Sequence, residues 1–363
     1  HGKEVSMDDS IKTYKCPNCG AALTFDSKTQ KLHCSHCDTS IDVEAMKALS
    51  DTPSSTDQDN ACWNTSNAGS NWSSGEQQGM RSYHCPTCGA ELVTDETTAA
   101  STCAYCGSPV VLSDHLSGAK RPNYVIPFKV DKKTAKETLK NFYKGKIFLP
   151  RAFSAENHLE EISGIYVPFW LYSCESKGSF SFDATRTHHY TDGDYDVTET
   201  EHYLVLRDGE ARFNNIPVDG SSKMDDAYMD AIEPFDYSAI TDFHTDYLPG
   251  YAAQTYDEDA TACAPRATAR VKNTTIAAIR RTCDYTTLTP RTSKISTTQN
   301  SVDYALLPVW MLTTNWHGES YHFAINGQTG KLIGDLPIDK GRLFGLLAGI
   351  TIPLGILLKL FIF

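Results

Sequence analysis

Residues 83–112 read YHCPTCGAELVTDETTAASTCAYCGSPVVL, and residues 14–43 read YKCPNCGAALTFDSKTQKLHCSHCDTSIDV. Adding 69 to each position of the earlier stretch gives the later one. Eleven of thirty positions are identical, among them Tyr14/Tyr83, Pro17/Pro86, Gly20/Gly89, Leu23/Leu92 and Asp26/Asp95. Eight cysteines fall in four Cys-x-x-Cys pairs, Cys16/Cys19, Cys34/Cys37, Cys85/Cys88 and Cys103/Cys106, and fourteen residues separate the two pairs of each stretch. The chain therefore carries a duplicated module.

Two thiolates spaced by two residues can face one ion from a tight turn, and two such knuckles complete a tetrahedral four-sulfur site. Gly20, Gly89 and Gly107 follow a knuckle cysteine, where amides turn toward sulfur and a side chain would crowd them. A module this short buries too little apolar surface to fold unaided, so the metal is expected to supply folding energy. Structural Zn2+ is expected at two sites: Cys16, Cys19, Cys34 and Cys37 in the first ribbon, and Cys85, Cys88, Cys103 and Cys106 in the second. Iron is the competing ion, because similar Cys-Pro-x-Cys-Gly knuckles hold it in rubredoxin sites. His33, His36 and His84 flank ligands and are expected outside the coordination shell. Cys62, Cys174, Cys263 and Cys283 are scattered and read as buried, inert thiols.

From these modules outward, the expected organisation is zinc ribbon 1 at 14–43, a flexible linker at 44–82, zinc ribbon 2 at 83–113, an acidic body at 122–338 and a membrane anchor at 343–363. The linker is rich in Ser, Asn, Asp, Gln and Gly, with Trp63 and Trp72 as its anomalies. Met7 is a candidate native start. In the body, 123–130 and 165–172 read as strands, Lys132–Tyr143 as a helix with Ala135, Leu139, Phe142 and Tyr143 on one side, and Asp208-Gly209 as a hairpin signal. Residues 224–232 and 258–281 read as helices. Pro168 and Trp170 recur as Pro308 and Trp310, both at the same offset. Either the body contains an internal duplication, or two similar strands lie in one sheet. The fold class is α+β: two small ribbons, a mainly antiparallel α+β body and one transmembrane helix.

The C-terminal run at 343–363, LFGLLAGITIPLGILLKLFIF, contains one charge, Lys359, and is long enough to span a bilayer core. Lys340 and Arg342 flank it, which predicts a plasma-membrane anchor with ribbons and body in the cytoplasm. Gly345 and Gly349 have the spacing of close-packed membrane helices, so homo-oligomerisation is open.

The 363-residue chain has a formal charge of -12 and a mean hydropathy of -0.37. Residues 183–259 hold nineteen acids and four Lys/Arg, a net of -15 that leaves the remainder at +3. Ribbon 2 has no Lys or Arg, and ribbon 1 has Lys15, Lys28 and Lys31, with Lys12 at its edge. Neither makes the basic stripe that phosphate contacts require, so nucleic acid is not the expected partner. A nucleic-acid-binding regulator tethered to the membrane is the alternative reading. No phosphate loop, nucleophile elbow or His-Glu-x-x-His motif occurs, and a non-enzymatic role is expected. His188 and His189 are adjacent and point to opposite faces of a strand. Asp192, Asp194 and Asp196 lack the glycine and glutamate of a calcium loop, Val197 and Tyr203 standing there instead.

The stretches CPNCGAAL (16–23), CPTCGAEL (85–92), DETTAASTCAYCGSPVVL (95–112), GIYVPFWLY (164–172), IPVDGSSKMDD (216–226), LLPVWML (306–312) and FAINGQTGKLIGDLPI (323–338) span most of the chain. With them it resembles a family of bacterial membrane-anchored proteins with TFIIB-type zinc ribbons. The resemblance implies a scaffold or adaptor that works in membrane stress with a phage-shock-protein-A-like partner and a flotillin-like partner.

Overall fold

The computed structural model describes residues 14, 21–36, 40–43, 62–98, 100, 102–113, 118–155 and 161–362. Contacts divide the chain into two units. Unit 1 comprises His1–Asp59, Gly178–Gly209 and Ala278–Ile295; unit 2 comprises Asn60–Lys177, Glu210–Ala277 and Ser296–Phe363.

In unit 1, β1 (Thr24–Asp26), β2 (Lys31–His33) and β3 (Ser40–Asp42) form a three-stranded antiparallel sheet. Leu23, Leu32, Cys34 and Ile41 make its small core. Asp26 shapes the β1–β2 turn, accepting from Lys28 N–H (2.9 Å) and Thr29 Oγ1 (2.9 Å). Asp95, its counterpart in the second module, accepts from the Thr97 and Thr98 amides (3.2 and 3.0 Å) in the same manner. The His33–Ser40 pair likewise recurs as the Thr102–Pro109 bridge. The described parts of the two modules thus share a turn and a strand pairing, as the sequence repeat implies.

Unit 2 begins with α1 (Ser74–Gln78), then β4 (Met80–His84), β5 (Glu91–Asp95), β6 (Val111–Ser113) and β7 (Tyr124–Val125). Next come α2 (Lys132–Tyr143), α3 (Arg151–Ala155), and the long strands β8 (Ser163–Asp192) and β9 (Tyr195–Asp219), which continue into unit 1. Then follow α4 (Asp226–Ala231), β10 (Thr241–Asp242), β11 (Ala252–Gln254), α5 (Ala260–Arg280), β12 (Thr287–Trp316), β13 (Glu319–Asn326), β14 (Leu332–Gly334) and α6 (Lys340–Ile362). The strand order is β10-β7-β12-β8-β11-β5-β4-β6; β9 pairs β8, β13 pairs β12 and β14 pairs β13. The body is mixed α+β and mostly sheet.

The first six strands of this order read the same from both ends. β7 runs parallel to β12, with Tyr124 opposite Ala305 and Val125 opposite Leu306. β11 runs parallel to β8, with Ala252 opposite Ile165 and Ala253 opposite Tyr166. Ala305 and Leu306 follow Ile165 and Tyr166 at the same offset that separates Pro308 from Pro168. Outside these pairs, β10 pairs antiparallel with β7 and β5 antiparallel with β11. Single hydrogen bonds repeat too. Gly220 N–H donates to Pro168 O (2.9 Å), and Gly327 N–H to Pro308 O (2.8 Å). Trp170 Nε1 donates to Glu258 O (2.9 Å), and Trp310 Nε1 to Val130 O (2.8 Å). One residue after each of those carbonyls an aspartate opens a helix: Asp131 accepts from Thr134 N–H (2.7 Å), and Asp259 from the Thr261 and Ala262 amides. The body is therefore an internal duplication of a β-α-β-β half. Each half lends its first strand to the other half's long strand.

Four expectations of the fold need correction. Residues 62–82, read as part of a flexible linker, are folded onto unit 2; residues 44–61 lie outside the described residues. Trp63 meets Tyr172 edge-on (4.9 Å) and donates to Thr268 Oγ1 (3.0 Å), while Trp72 donates to Ala119 O (2.8 Å). Ser73 and Glu76 form a capping box on α1, and Glu76 bonds Arg121 (2.8 Å). Two indoles and a capped turn outweigh a polar composition. Second, the module at 83–113 is no separate domain, because β5 joins the body sheet through β11. Third, Asp208-Gly209 does not turn; both residues extend within β9. The hairpin turns at Gly193, which holds a φ of +62°. Gly209 instead gives room to Ile279, which a Cβ there would meet at 3.3 Å. The strand expected at 123–130 is confined to Tyr124–Val125, since Pro127 has no N–H to continue the ladder.

Candidate metal centre

Two knuckles of matching build bring Cys85, Cys88, Cys103 and Cys106 together. The Cys85 N–H donates to Ala90 O (2.8 Å) and the Gly89 N–H to Cys85 O (2.9 Å). In the second knuckle, the Cys103 N–H donates to Ser108 O (2.8 Å) and the Gly107 N–H to Cys103 O (2.9 Å). Gly89 and Gly107 both hold a φ of +71°, the left-handed conformation that closes each turn at little cost only for glycine.

The sulfurs of Cys85 and Cys106 are 3.5 Å apart, those of Cys88 and Cys103 3.6 Å, and all four lie within 4.8 Å of one another. These distances far exceed a disulfide bond. They approach the roughly 3.8 Å between sulfurs in a tetrahedral four-thiolate site with bonds of about 2.3 Å. Cys85 and Cys103 are buried; Cys88 and Cys106 are half-buried. Burial works against the Cys85 thiolate, but the Cys88 and Thr87 amides aimed at it outweigh that and bring it down to about 7. Burial pushes the Cys103 and Cys88 thiols up. A bound cation is the natural compensation for such buried thiolates. The four-cysteine group can hold a metal ion.

Body residues that sequence reasoning missed fix the second knuckle. The buried Tyr105 hydroxyl donates to Gln254 Oε1 on β11, and Gln254 Nε2 donates to Ser221 Oγ (2.6 Å). Thr313 Oγ1 on β12 donates to Tyr105 O (2.7 Å) and receives His322 Nδ1 at 3.1 Å, which assigns the proton to Nδ1. Burial favours the neutral ring and holds His322 below the usual imidazole range. Lys223 pairs with Asp257 (2.9 Å), and its ammonium would lie 3.9 Å from a Cβ on Gly89. The Asp257 hydrogen bond raises Lys223, and charge on Cys88 and Cys103 adds to this. These partners lie far from the knuckles along the chain, and no spacing rule could have found them.

Of the first module's expected ligands, Cys34 is described and buried; Cys16, Cys19 and Cys37 lie outside the described residues. Of the other thiols, burial holds Cys174 up at about 11 and Cys263 at about 12, in keeping with inert groups. Cys62 is exposed, against expectation.

Across 342 residues the chain is 36% identical to the uncharacterized protein YdjG of Bacillus subtilis strain 168, covering 94% of each. The chain belongs to the family of that protein. No family model and no solved structure matches it.

The expected membrane anchor falls in α6. The window Lys340–Leu357 is long and apolar enough to cross a membrane, and none of it is buried against the protein. Phe344, Leu346, Leu347, Ile350 and Ile352 are all exposed. Pro353 sits inside the helix without ending it.

Proposed function

We propose that this protein is a membrane-anchored zinc-ribbon adaptor that recruits cytosolic protein partners and catalyses no reaction itself. The observation that carries the reading is the closed four-cysteine group. Four thiolates fill a tetrahedral ion's coordination and leave no open position for substrate, which is the hallmark of a structural site. Zinc is the ion this donor set favours, and the repeat extends the same role to Cys16, Cys19, Cys34 and Cys37. The exposed apolar α6 supplies the anchor, with Lys340 and Arg342 holding its near end in the cytoplasm. Partners of the phage-shock-protein-A and flotillin types, acting in membrane stress, are what the family resemblance implies. The absence of Lys and Arg from 83–112 speaks against the nucleic-acid alternative.

Three measurements on the full chain test this. Metal analysis should give two zinc per chain; iron, or a folded metal-free protein, would contradict it. Membranes washed with high salt should retain the protein. A mild-detergent pull-down should bring down cytosolic partners that Cys103→Ser releases. A salt-sensitive gel shift with DNA or RNA would favour the alternative.

A further inference from the structure

α2 places its charges where an isolated helix would not. Its first turn holds Lys132 and Lys133 and no acid, although the amide end of a helix favours negative charge. Lys132, Lys136 and Lys140, with Lys144 just beyond, recur every fourth residue and so stack along one edge, where like charges repel. Residues 132–151 contain seven Lys/Arg and one acid, Glu137, a net of +6 in a chain of -12.

The turn after α2 adds apolar groups to this charge. Lys144 bonds Asn141 Oδ1 (2.7 Å), and the Lys146 ammonium lies 5.1 Å from the centre of the Phe142 ring. Ile147 follows, 65% exposed, while Leu149 turns inward onto the core that holds Ala135 and Leu139. This turn is fastened to the start of α6. The Asp339 N–H donates to Phe148 O (2.8 Å), Arg342 Nη1 donates to Leu149 O (2.9 Å), and Asp339 accepts from the Arg342 N–H (3.1 Å). Ile338, 60% exposed, immediately precedes that junction. Two bare isoleucines and three lysines, Lys144, Lys146 and Lys340, therefore gather where the apolar helix begins, while Arg342 is paired with Asp339 (3.2 Å).

The geometry points to a lipid-contact collar. Lys144, Lys146 and Lys340 seat on the anionic phospholipid headgroups of the leaflet that α6 enters, Ile147 and Ile338 dip into the headgroup–acyl boundary, and the α2 lysine edge extends the charged surface. This rests on the reading that α6 spans the bilayer. The occupant follows from complementarity: an exposed apolar side chain between ammoniums matches an interface that is apolar on one side and anionic on the other. Residues hydrogen-bonded to the first turn of α6 also lie within the roughly 8 Å over which surface charge is felt at physiological salt. Each basic residue held there is worth about a fivefold gain in partitioning.

Hydrogen exchange on the full chain tests the collar, in vesicles of phosphatidylcholine alone and of phosphatidylcholine mixed equally with phosphatidylglycerol. The expected result is that peptides covering 144–149 exchange roughly fivefold or more slowly in the mixed vesicles. Lys144→Glu with Lys146→Glu should abolish that slowing and leave metal content unchanged, while α6 stays protected in both compositions. Equal exchange at 144–149 in both vesicles, with α6 protected, would overturn the collar and leave the anchor standing. Free exchange of α6 in both would remove the anchor, and the collar with it. The comparison of compositions in the unaltered chain stands even if the double variant folds poorly.

Discussion

The hydroxyl of Tyr105 donates to the side-chain oxygen of Gln254, far along the chain, inside the core that joins the second cysteine module to the body sheet. Tyr105 stands between the last two cysteines, so this bond sets where Cys103 and Cys106 point. Tyr105→Phe keeps the ring and leaves Gln254 Oε1 unpaired in a buried place, a loss of about 1–3 kcal/mol. Stability to urea should fall by that amount while metal content stays unchanged. Unchanged stability would show that Gln254 finds another donor.

Loss of one ligand should act on metal and fold together. Cys103→Ser is expected to lower metal content by one ion per chain and to open 83–113 to protease. Because β5 is built into the body sheet, unit 2 should lose several kcal/mol as well. Cys174→Ser is the control: that thiol is buried and does not belong to the four-cysteine group, and its replacement should leave metal content intact.

What the sequence displayed was local. The eight-cysteine repeat, the helix at Lys132–Tyr143 and the apolar C-terminal helix each follow from a spacing or a run within a short window, and α2 begins and ends where its pattern does. What it concealed was pairing between distant strands. The repeat of Pro168/Trp170 as Pro308/Trp310 allowed a duplication, yet nothing local says that β7 pairs with β12 or that β11 pairs with β8. The fold of the strap at 62–82 is hidden from its sequence for a related reason. Its many polar residues are ordered by Trp63 and Trp72, whose partners Tyr172, Thr268 and Phe243 come much later in the chain. The grouping of Cys85, Cys88, Cys103 and Cys106 was legible from spacing, whereas its outer partners Gln254, Thr313 and Lys223 were not.

The duplication makes a paired prediction. A Cβ on Gly220 would lie 2.8 Å from Trp170 Nε1 and 3.1 Å from Glu258 O; one on Gly327 would lie 2.7 Å from the Phe128 ring and 2.8 Å from Pro308 Cβ. Neither glycine has a positive φ, so space alone demands glycine. Gly220→Ala and Gly327→Ala should each cost about 1–3 kcal/mol through overpacking. Gly75→Ala, where a Cβ meets nothing within 4 Å in α1, should be neutral or slightly stabilising. Tolerance at Gly327 with damage at Gly220 would show that the two halves no longer share this packing constraint.

Asp219 gives the fold a pH dependence of unusual sign. It ends β9, fully buried, with Oδ1 accepting from Arg266 (2.8 Å) and no hydrogen bond to Oδ2 among the described residues. Asp226 and Asp230 compete for Arg266, while Asp230 and Glu233 engage Arg270. Burial pushes the Asp219 carboxyl up to about 6; Arg266 pulls it back only in part, and Asp226 pushes the same way as burial. Burial raises Glu233 too. With the folded value above the unfolded one, the native state holds the proton more tightly between pH 4 and 6. This group therefore adds stability as pH falls through that window and withdraws it as pH rises. The size of that rise bounds the effect at about 3 kcal/mol. Asp219→Asn removes the titration. Comparing urea unfolding of the two proteins across that range cancels the carboxylates they share. The stability of the wild type minus that of the variant should shrink as pH rises from 4 to 6 and stay level above it. A difference that does not change with pH would show that Arg266 fully offsets burial, leaving Asp219 with the same proton affinity folded and unfolded.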